Sequence, residues 1–437
     1  MAELLLYTFY GDDFTGSTDV LDALASNGIE TVLFLAAPTE RQRAAFPHAK
    51  AIGIAGSSRS QTPEWMDKHL PQLFRALKDL NSPITHYKTC STFDSAPHIG
   101  NIGRALELGY ELFASDFIPV VVAAPHLGRY VLFSNLFADA GGQIYRIDHH
   151  LTMRNHPITP MQEADLRRHL AIQTAIPISS IDIRAFEADT LEQALAAQLN
   201  AGFKVILFDG LDEATAAQTG RLLWSQAEGK RSFAVGSSGL TYALIHEWRA
   251  RNLIAPAPTF MAPCTQKEST RPIVVLSGSC SPATAAQIEW AITHGFMGIA
   301  LDPVALVSEN SEVASRTYLQ CATEALRRGQ SIVLYTALGS TQAEVQGEAL
   351  GTCMGLLLRE LILATGVRRV AMAGGDTSSH AIAQLGLQAL TFAARLQPGA
   401  PLCRAHSPNA AFDGLELVLK GGQIGTPDFF GRIRIAG

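Results

Sequence analysis

VAMAGGDTSSHAI, residues 370–382, reads as a strand, a turn and a helix in direct succession. Its apolar run shows no alternation, which suits a parallel strand buried on both faces. Gly374 and Gly375 then allow close backbone approach, and Asp376 and Thr377 open a helix whose N-terminus favours negative charge. The same succession recurs along the chain. Candidate strands lie at 4–11, 30–36, 51–56, 85–90, 119–125, 205–210 and 233–239, then at 272–279, 298–302, 331–337, 368–376 and 415–422. Helical patterns such as 17–27 and 63–80 separate several of them. This alternation predicts doubly wound α/β sheets, in which ligands sit at the carboxyl ends of strands.

The 437 residues suffice for two or three domains. Segment 255–271, APAPTFMAPCTQKESTR, is rich in Pro, Ala and polar residues and reads as a linker. It leaves an N-terminal domain over 1–254 and a C-terminal domain over 272–437. Hydrophobic residues make up 47% and charged residues 17% of the chain, enough for sizeable cores. Net charge is −6 and there is no basic run, which argues against nucleic acid as a partner. The N-terminus lacks the positive start and cleavage site of a signal peptide, and no stretch reaches the ~18 apolar residues of a membrane span. The six cysteines are scattered without a C-x-x-C pair, as expected of reduced thiols in a cytoplasmic enzyme.

Chemistry-bearing residues cluster after the apolar runs. In the N-terminal half, GDDFTGSTD (11–19) places Asp12 and Asp13 at a strand end and Thr15 at the start of a helix. Capping would account for one of these residues, but two adjacent acids followed by Thr-Gly exceed a cap's needs. Lys88 closes another strand and is followed by Ser91, Thr92 and Asp94. A lysine there could neutralise a carboxylate, although lone lysines are usually solvated. Arg154 lies in a polar, Pro-bounded loop and could clamp a carboxylate bidentately. His149, His150 and His156 lack metal-ligand spacing and read as surface or hydrogen-bonded histidines. Asp209 and the GSSG at 236–239 complete a rim of strand-end polar groups.

In the C-terminal half, LSGSCSPATAAQ (276–287) carries Ser277, Ser279 and Ser281 in a small-residue turn before a helix starting near Pro282. It is not a Walker A loop, because no Gly-Lys-Ser/Thr follows. Asp376 could coordinate Mg²⁺, take a substrate proton or cap its helix. LKGGQIGTPD (419–428) adds Gly421 and Gly422. Three such strand ends in one domain suggest a nucleotide cradle.

In order, DDFTG (12–16), KTCST (88–92), GSSGL (236–240), GSCSPATAAQ (278–287), GGDT (374–377) and KGGQIG (420–425) resemble the motifs of the four-carbon acid sugar kinases and span nearly the whole chain. The resemblance implies two α/β domains, each a mostly parallel sheet flanked by helices. The first would bind a sugar acid and the second ATP with Mg²⁺, with the active site in the interdomain cleft. Carried over by position, Asp12, Asp13, Thr15, Lys88, Ser91 and Arg154 would belong to the acid site. Ser277, Ser279, Ser281, Gly374, Gly375, Asp376, Thr377, Gly421 and Gly422 would hold ATP. Members phosphorylate threonate, erythronate or 3-oxo-tetronate, and relatives act on 3-oxo-isoapionate. The family commonly continues Ser-Thr with Leu/Phe-Arg-Gly-Asn, whereas this chain reads FDSAPHIGN (93–101), and the loop around Arg154 reads MRNHPITPM (153–161). Both departures fall in the acid-binding part and point to a branched or oxidised acid.

The expected reaction is in-line phosphoryl transfer, with Asp376 or Asp13 as the base. Two other readings compete with it. A nicotinamide-dependent dehydrogenase also uses glycine turns after strands, but the first strand lacks G-x-G-x-x-G. A non-catalytic sugar-acid sensor would not need both the DDFTG and GGDT sites. The expected partners are a small sugar acid and ATP, in a chain compatible with homo-oligomerisation.

Overall fold

The structure, a computed structural model, describes residues 5–156, 158–256, 271–308, 311–338 and 347–436, with the side chains of Asp376 and Thr377 outside that description. Most of the expected linker, 257–270, also lies outside the described residues. Backbone contacts group the chain into two units. The first comprises 1–12, 23–31 and 37–258, and the second 13–22, 32–36 and 259–437. Two short N-terminal pieces, including the residues just after Asp12, therefore group with the C-terminal part.

The first half of the chain supplies strands β1 (Tyr7–Gly11), β2 (Thr31–Phe34), β3 (Ala51–Ala55), β4 (Ile84–Lys88), β5 (Ile118–Val121), β6 (Arg129–Leu132), β7 (Asn135–Ala140), β8 (Gln143–Arg146), β9 (Ile178–Ile181), β10 (Val205–Phe208) and β11 (Ser232–Gly236). The second half supplies β12 (Val274–Ser277), β13 (Met297–Ala300), β14 (Ile332–Tyr335), β15 (Arg369–Ala373), β16 (Ala389–Gln397), β17 (Ala400–His406) and β18 (Glu416–Lys420).

In the first unit, β3, β1, β4, β11, β5, β10 and β9 lie side by side, all parallel. The register aligns the carboxyl ends of three central strands, with Gly11 beside Lys88 and Lys88 beside Gly236. The helix Pro63–Lys78 shows why the connections are helical. Thr62 accepts a hydrogen bond from the Trp65 amide, Pro63 stands at the first helical position, and basic residues occupy the last turn. Met66, Leu70, Phe74 and Leu77 recur at helical spacing and are all buried. Phe74 meets Phe233 of β11 with ring centroids 5.1 Å apart. Burying each such side chain contributes about 1.5–3 kcal/mol.

The segment 129–146, which carries none of the expected strands, forms a separate antiparallel sheet, β6-β7-β8. Its first turn places Phe133 and Ser134 at positive φ. Asp209 explains how that turn is held: its carboxylate accepts hydrogen bonds from the amides of Phe133, Ser134 and Ile183. Burial pushes Asp209 up to about 6, against those three amides. Asp209 is thus an anchor for the β6-β7 turn.

In the second unit the order is β13-β14-β12-β15-β18-β17-β16-β2. The first five strands are mutually parallel, while β17 runs antiparallel to β18 and β16, and β2 antiparallel to β16. The β16-β17 pair was not legible as strands, because half its residues are partly exposed and the apolar run is broken. At the carboxyl ends of β12, β15 and β18, Ser277, Ala373 and Lys420 stand in register.

Candidate active site

Two polar clusters form at strand carboxyl ends, one in each unit. In the first unit, the Asp12 amide donates to the Lys88 carbonyl (2.9 Å), and the Arg59 amide donates to the Asp12 carbonyl (3.0 Å). Asp12 and Lys88 are 3% and 2% exposed, so both charges are held inside the protein. Burial pushes the Tyr10 hydroxyl up to about 12 and raises that of Tyr87 as well, and the charge of Asp12 adds to both rises.

Arg59 follows β3 and was not singled out in the sequence. Its Nη2 donates to Asp94 Oδ2 over 2.6 Å. Asp94 also accepts from the hydroxyls of Thr92 (2.5 Å) and Thr159 (3.2 Å). Burial alone would raise Asp94, yet Arg59, His156 and the Thr92 hydroxyl hold it well below the usual carboxylate range. His156 Nδ1 in turn accepts from the Thr159 amide. One buried carboxylate thus ties the turn after β3, the divergent loop 93–101 and the loop 153–161 together. Its neighbour Ser95 is hydrogen-bonded to His169 Nε2 (2.8 Å), and burial pushes that imidazole down to about 4. Ser91 sits half-buried in the turn after β4, and Arg154 is exposed on a short turn, Met153–Asn155. His150 Nδ1 accepts the amides of Thr152 and Met153 and so caps that turn.

In the second unit, Asp13 and Thr15 lie beside the turn that decides the fold. A Cβ built on Gly375 would stand 3.4 Å from Asp13 Oδ2 and 3.8 Å from Thr15 Oγ1. Both Asp13 oxygens accept hydrogen bonds, Oδ2 from the Thr15 hydroxyl (2.5 Å) and Oδ1 from the Gly16 amide (2.7 Å). Asp13 therefore caps the helix Phe14–Ala25, so the capping reading applies to this acid.

The three glycine and serine turns converge on Ser279. Gly374 has a φ of +112°, a conformation that L side chains rarely adopt, and its Cβ position lies 3.3 Å from the Ser279 amide nitrogen. A Cβ on Gly422 would come within 2.7 Å of Ser279 Oγ and 3.1 Å of Ser281 Cβ. The Ser279 hydroxyl accepts from the Ser281 amide (3.2 Å). The hydroxyls of Ser277, Ser281 and Ser378 are buried without a hydrogen-bond partner among the described residues. Buried hydroxyls in a native fold are normally satisfied. Orphaned hydroxyls around glycines that have no room for side chains fit a polar, oxygen-rich ligand such as a nucleotide phosphate. Asp376 and Thr377 start the helix Gly375–Ala383, and their side chains lie outside the described residues.

Lys420 carried no role in the sequence reading. It is fully buried at the end of β18, and its Nζ donates to Thr284 Oγ1 over 2.8 Å. Burial pushes its amine down to about 7. Its signal was present as the first residue of KGGQIG, but an apolar strand gives no hint that a terminal lysine turns inward. Arg59 had a comparable signal, since it stands four residues beyond a strand end. A cavity of about 560 Å³ bounded by Asn81, Pro83, Phe117 and Ser232 lies at the amino ends of β4, β5 and β11, opposite the first unit's cluster.

Known proteins match nearly the whole chain. A family model described as a sugar-binding N-terminal domain matches residues 7–244, and one described as a nucleotide-binding C-terminal domain matches 274–430. The chain is 44% identical to a 3-oxo-isoapionate kinase of Paraburkholderia graminis, covering 98% of this chain and 94% of that protein. It is 30% identical to a 3-oxo-tetronate kinase of Methylobacterium radiotolerans, covering 96% of each. A solved structure from Salmonella typhimurium LT2 shares the fold with a TM-score of 0.78 at 24% identity, covering 98% of both chains. With both family models matched and these relatives aligned nearly end to end, the chain belongs to the four-carbon acid sugar kinase family.

Proposed function

We propose that this protein transfers the γ-phosphoryl group of ATP to a hydroxyl of a branched or oxidised sugar acid, with 3-oxo-isoapionate as the first substrate to test. The observation that carries the donor half is the packing of Gly374 and Gly422 against Ser279, with buried serine hydroxyls left over around them. The acceptor half is supported by the 44% identity to a 3-oxo-isoapionate kinase, against about 30% to 3-oxo-tetronate kinases.

Turn amides at Gly374, Gly375, Gly421 and Gly422, with the hydroxyls of Ser277, Ser279 and Ser281, would hold the phosphates. Preorganised donors of this kind stabilise charge as it develops on the transferred group, usually the dominant contribution in phosphoryl transfer. Mg²⁺ would neutralise phosphate charge when bound with ATP, and Asp376 would meet it only where Asp13 serves as the base. In the first unit, Lys88 and Arg154 would hold the acid's carboxylate, Asp12 its hydroxyls, and Ser91 would add a hydrogen bond; Thr15, which groups with the second unit, is proposed to add another. Asp376 is the proposed base that takes the hydroxyl proton, with Asp13 as the alternative.

The test is ADP release by the purified protein with ATP, Mg²⁺ and, separately, 3-oxo-isoapionate, the 3-oxo-tetronates, threonate and erythronate, with product mass confirming phosphorylation. Turnover on 3-oxo-isoapionate well above the others supports the reading. No acid-dependent ADP release with any of them would refute it.

A further inference from the structure

We infer that Lys420 is a positioning residue of the nucleotide site, which through Thr284 holds the Gly421–Gly422 turn in the shape that admits phosphate. The inference rests on the proposed ATP site and assigns the order within it.

The hydrogen bonds run in one direction. Thr284 Oγ1 donates to the Gly422 carbonyl over 2.8 Å. A hydroxyl has a single proton, so toward Lys420 it can only accept. The lysine amine therefore drives a two-step relay, Nζ to Thr284 to Gly422, joining residues 136 and 138 positions apart in the chain. The backbone of the same lysine fixes the second turn, because the Gly374 amide donates to the Lys420 carbonyl over 3.0 Å. One residue at the end of β18 thus sets both turns that close on Ser279: Gly422 through its side chain and Gly374 through its main chain.

A packing role alone does not account for this lysine. Burying an amine costs several kcal/mol unless its hydrogen bonds compensate. An apolar side chain would fill the same space without that cost. What an apolar side chain could not do is orient Thr284. With that hydroxyl free to rotate, the Gly422 carbonyl would lose its donor and the turn could shift toward Ser279, where even a Cβ has no room.

The experiment compares Lys420→Met, Thr284→Val and Thr284→Ser in the full chain. Affinity for ADP with Mg²⁺ is measured by calorimetry, and kcat and KM for ATP and for the acid are measured by ADP release. K420M is expected to weaken ADP binding about tenfold or more, as for loss of a buried hydrogen bond that leaves its partner unsatisfied. KM for ATP should rise more than kcat falls, and KM for the acid should hold. T284V, which keeps the shape and removes the hydroxyl, is expected to weaken ADP binding by roughly 3–10-fold, and T284S to restore it. Should K420M not fold, the Val and Ser pair at 284 decides the matter. Wild-type ADP affinity in T284V, or equal losses for ADP and acid, overturns the positioning role. If the wild-type protein itself fails to bind ADP, the proposed function falls and this inference with it.

Discussion

Arg59 Nη2 stands 2.6 Å from Asp94 Oδ2, and the Asp94 side chain is entirely shielded from solvent while that of Arg59 is 24% exposed. The pair spans 35 residues of sequence and joins the turn after β3 to the loop in which this chain departs from its family. Asp94→Ala strips the arginine and two threonine hydroxyls of their common acceptor. The expected loss of stability is about 3–5 kcal/mol, typical of breaking one side of a buried pair. Urea unfolding measures it, and a loss below about 1 kcal/mol would show the network to be slack.

The same carboxylate makes a pH prediction. Its native pKa is depressed, so the unfolded chain binds the extra proton as pH falls below the ordinary Asp value of about 3.9. Its contribution is therefore complete above about pH 4 and lost progressively in more acid solution. Asp94→Asn should be less stable at neutral pH and should lose less stability than wild type on acidification below pH 4.

Gly422→Ala places a methyl group 2.7 Å from Ser279 Oγ, and Gly374→Ala forces a side chain onto a φ of +112°. Each should cost about 1–3 kcal/mol locally and close the cradle. The expected result is at least a tenfold weaker affinity for ADP with Mg²⁺ and an unchanged KM for the acid, read by calorimetry and steady-state kinetics. Full ADP affinity in both variants would remove the cradle from the nucleotide site.

Asp376→Asn is expected to lower kcat by about 10²–10⁴-fold while retaining ADP binding, as for loss of a general base. Asp13→Asn should lower kcat less and also reduce thermal stability, since both oxygens of that carboxylate are engaged in capping. Full turnover by D376N with ATP and the acid would transfer the base role away from Asp376.

Lys88→Met should raise KM for the acid by roughly 10–100-fold with KM for ATP unchanged, the scale of a lost charge-assisted hydrogen bond. Arg154→Ala should move the same constant in the same direction by less, because Arg154 is exposed and Lys88 is buried. A rise in KM for ATP in place of the acid would contradict the assignment of this cluster to the acid.

Lys420 predicts an alkaline trend. Its amine loses its proton near pH 7 in the native state, whereas the unfolded chain keeps it to about 10.4. Between these values the unfolded state binds more protons, so stability should rise with pH by up to about 1.4 kcal/mol per unit from this group. Lys420→Met should lack that slope in unfolding experiments between pH 7 and 10.

The α/β class was legible in the sequence, and so were the strand carboxyl ends at which the polar clusters form. Uninterrupted apolar runs ending in Gly, Ser, Asp or Lys mark parallel strands and their carboxyl ends, and the structure ends β1, β4, β12, β15 and β18 at or within a few residues of those marks. These signals are local: a run of four or five residues and the turn after it. The β6-β7-β8 sheet and the β16-β17 pair escaped because these antiparallel strands are partly exposed, which interrupts the apolar run. Which charges meet was decided only by the tertiary structure. Nothing in the linear sequence joins Asp94 to Arg59, yet the fold sets them against each other, and it turns Lys420 inward to Thr284. A buried charge takes whichever partner the packed strands bring within about 3 Å. That choice depends on strand order and register, which no single stretch of sequence contains.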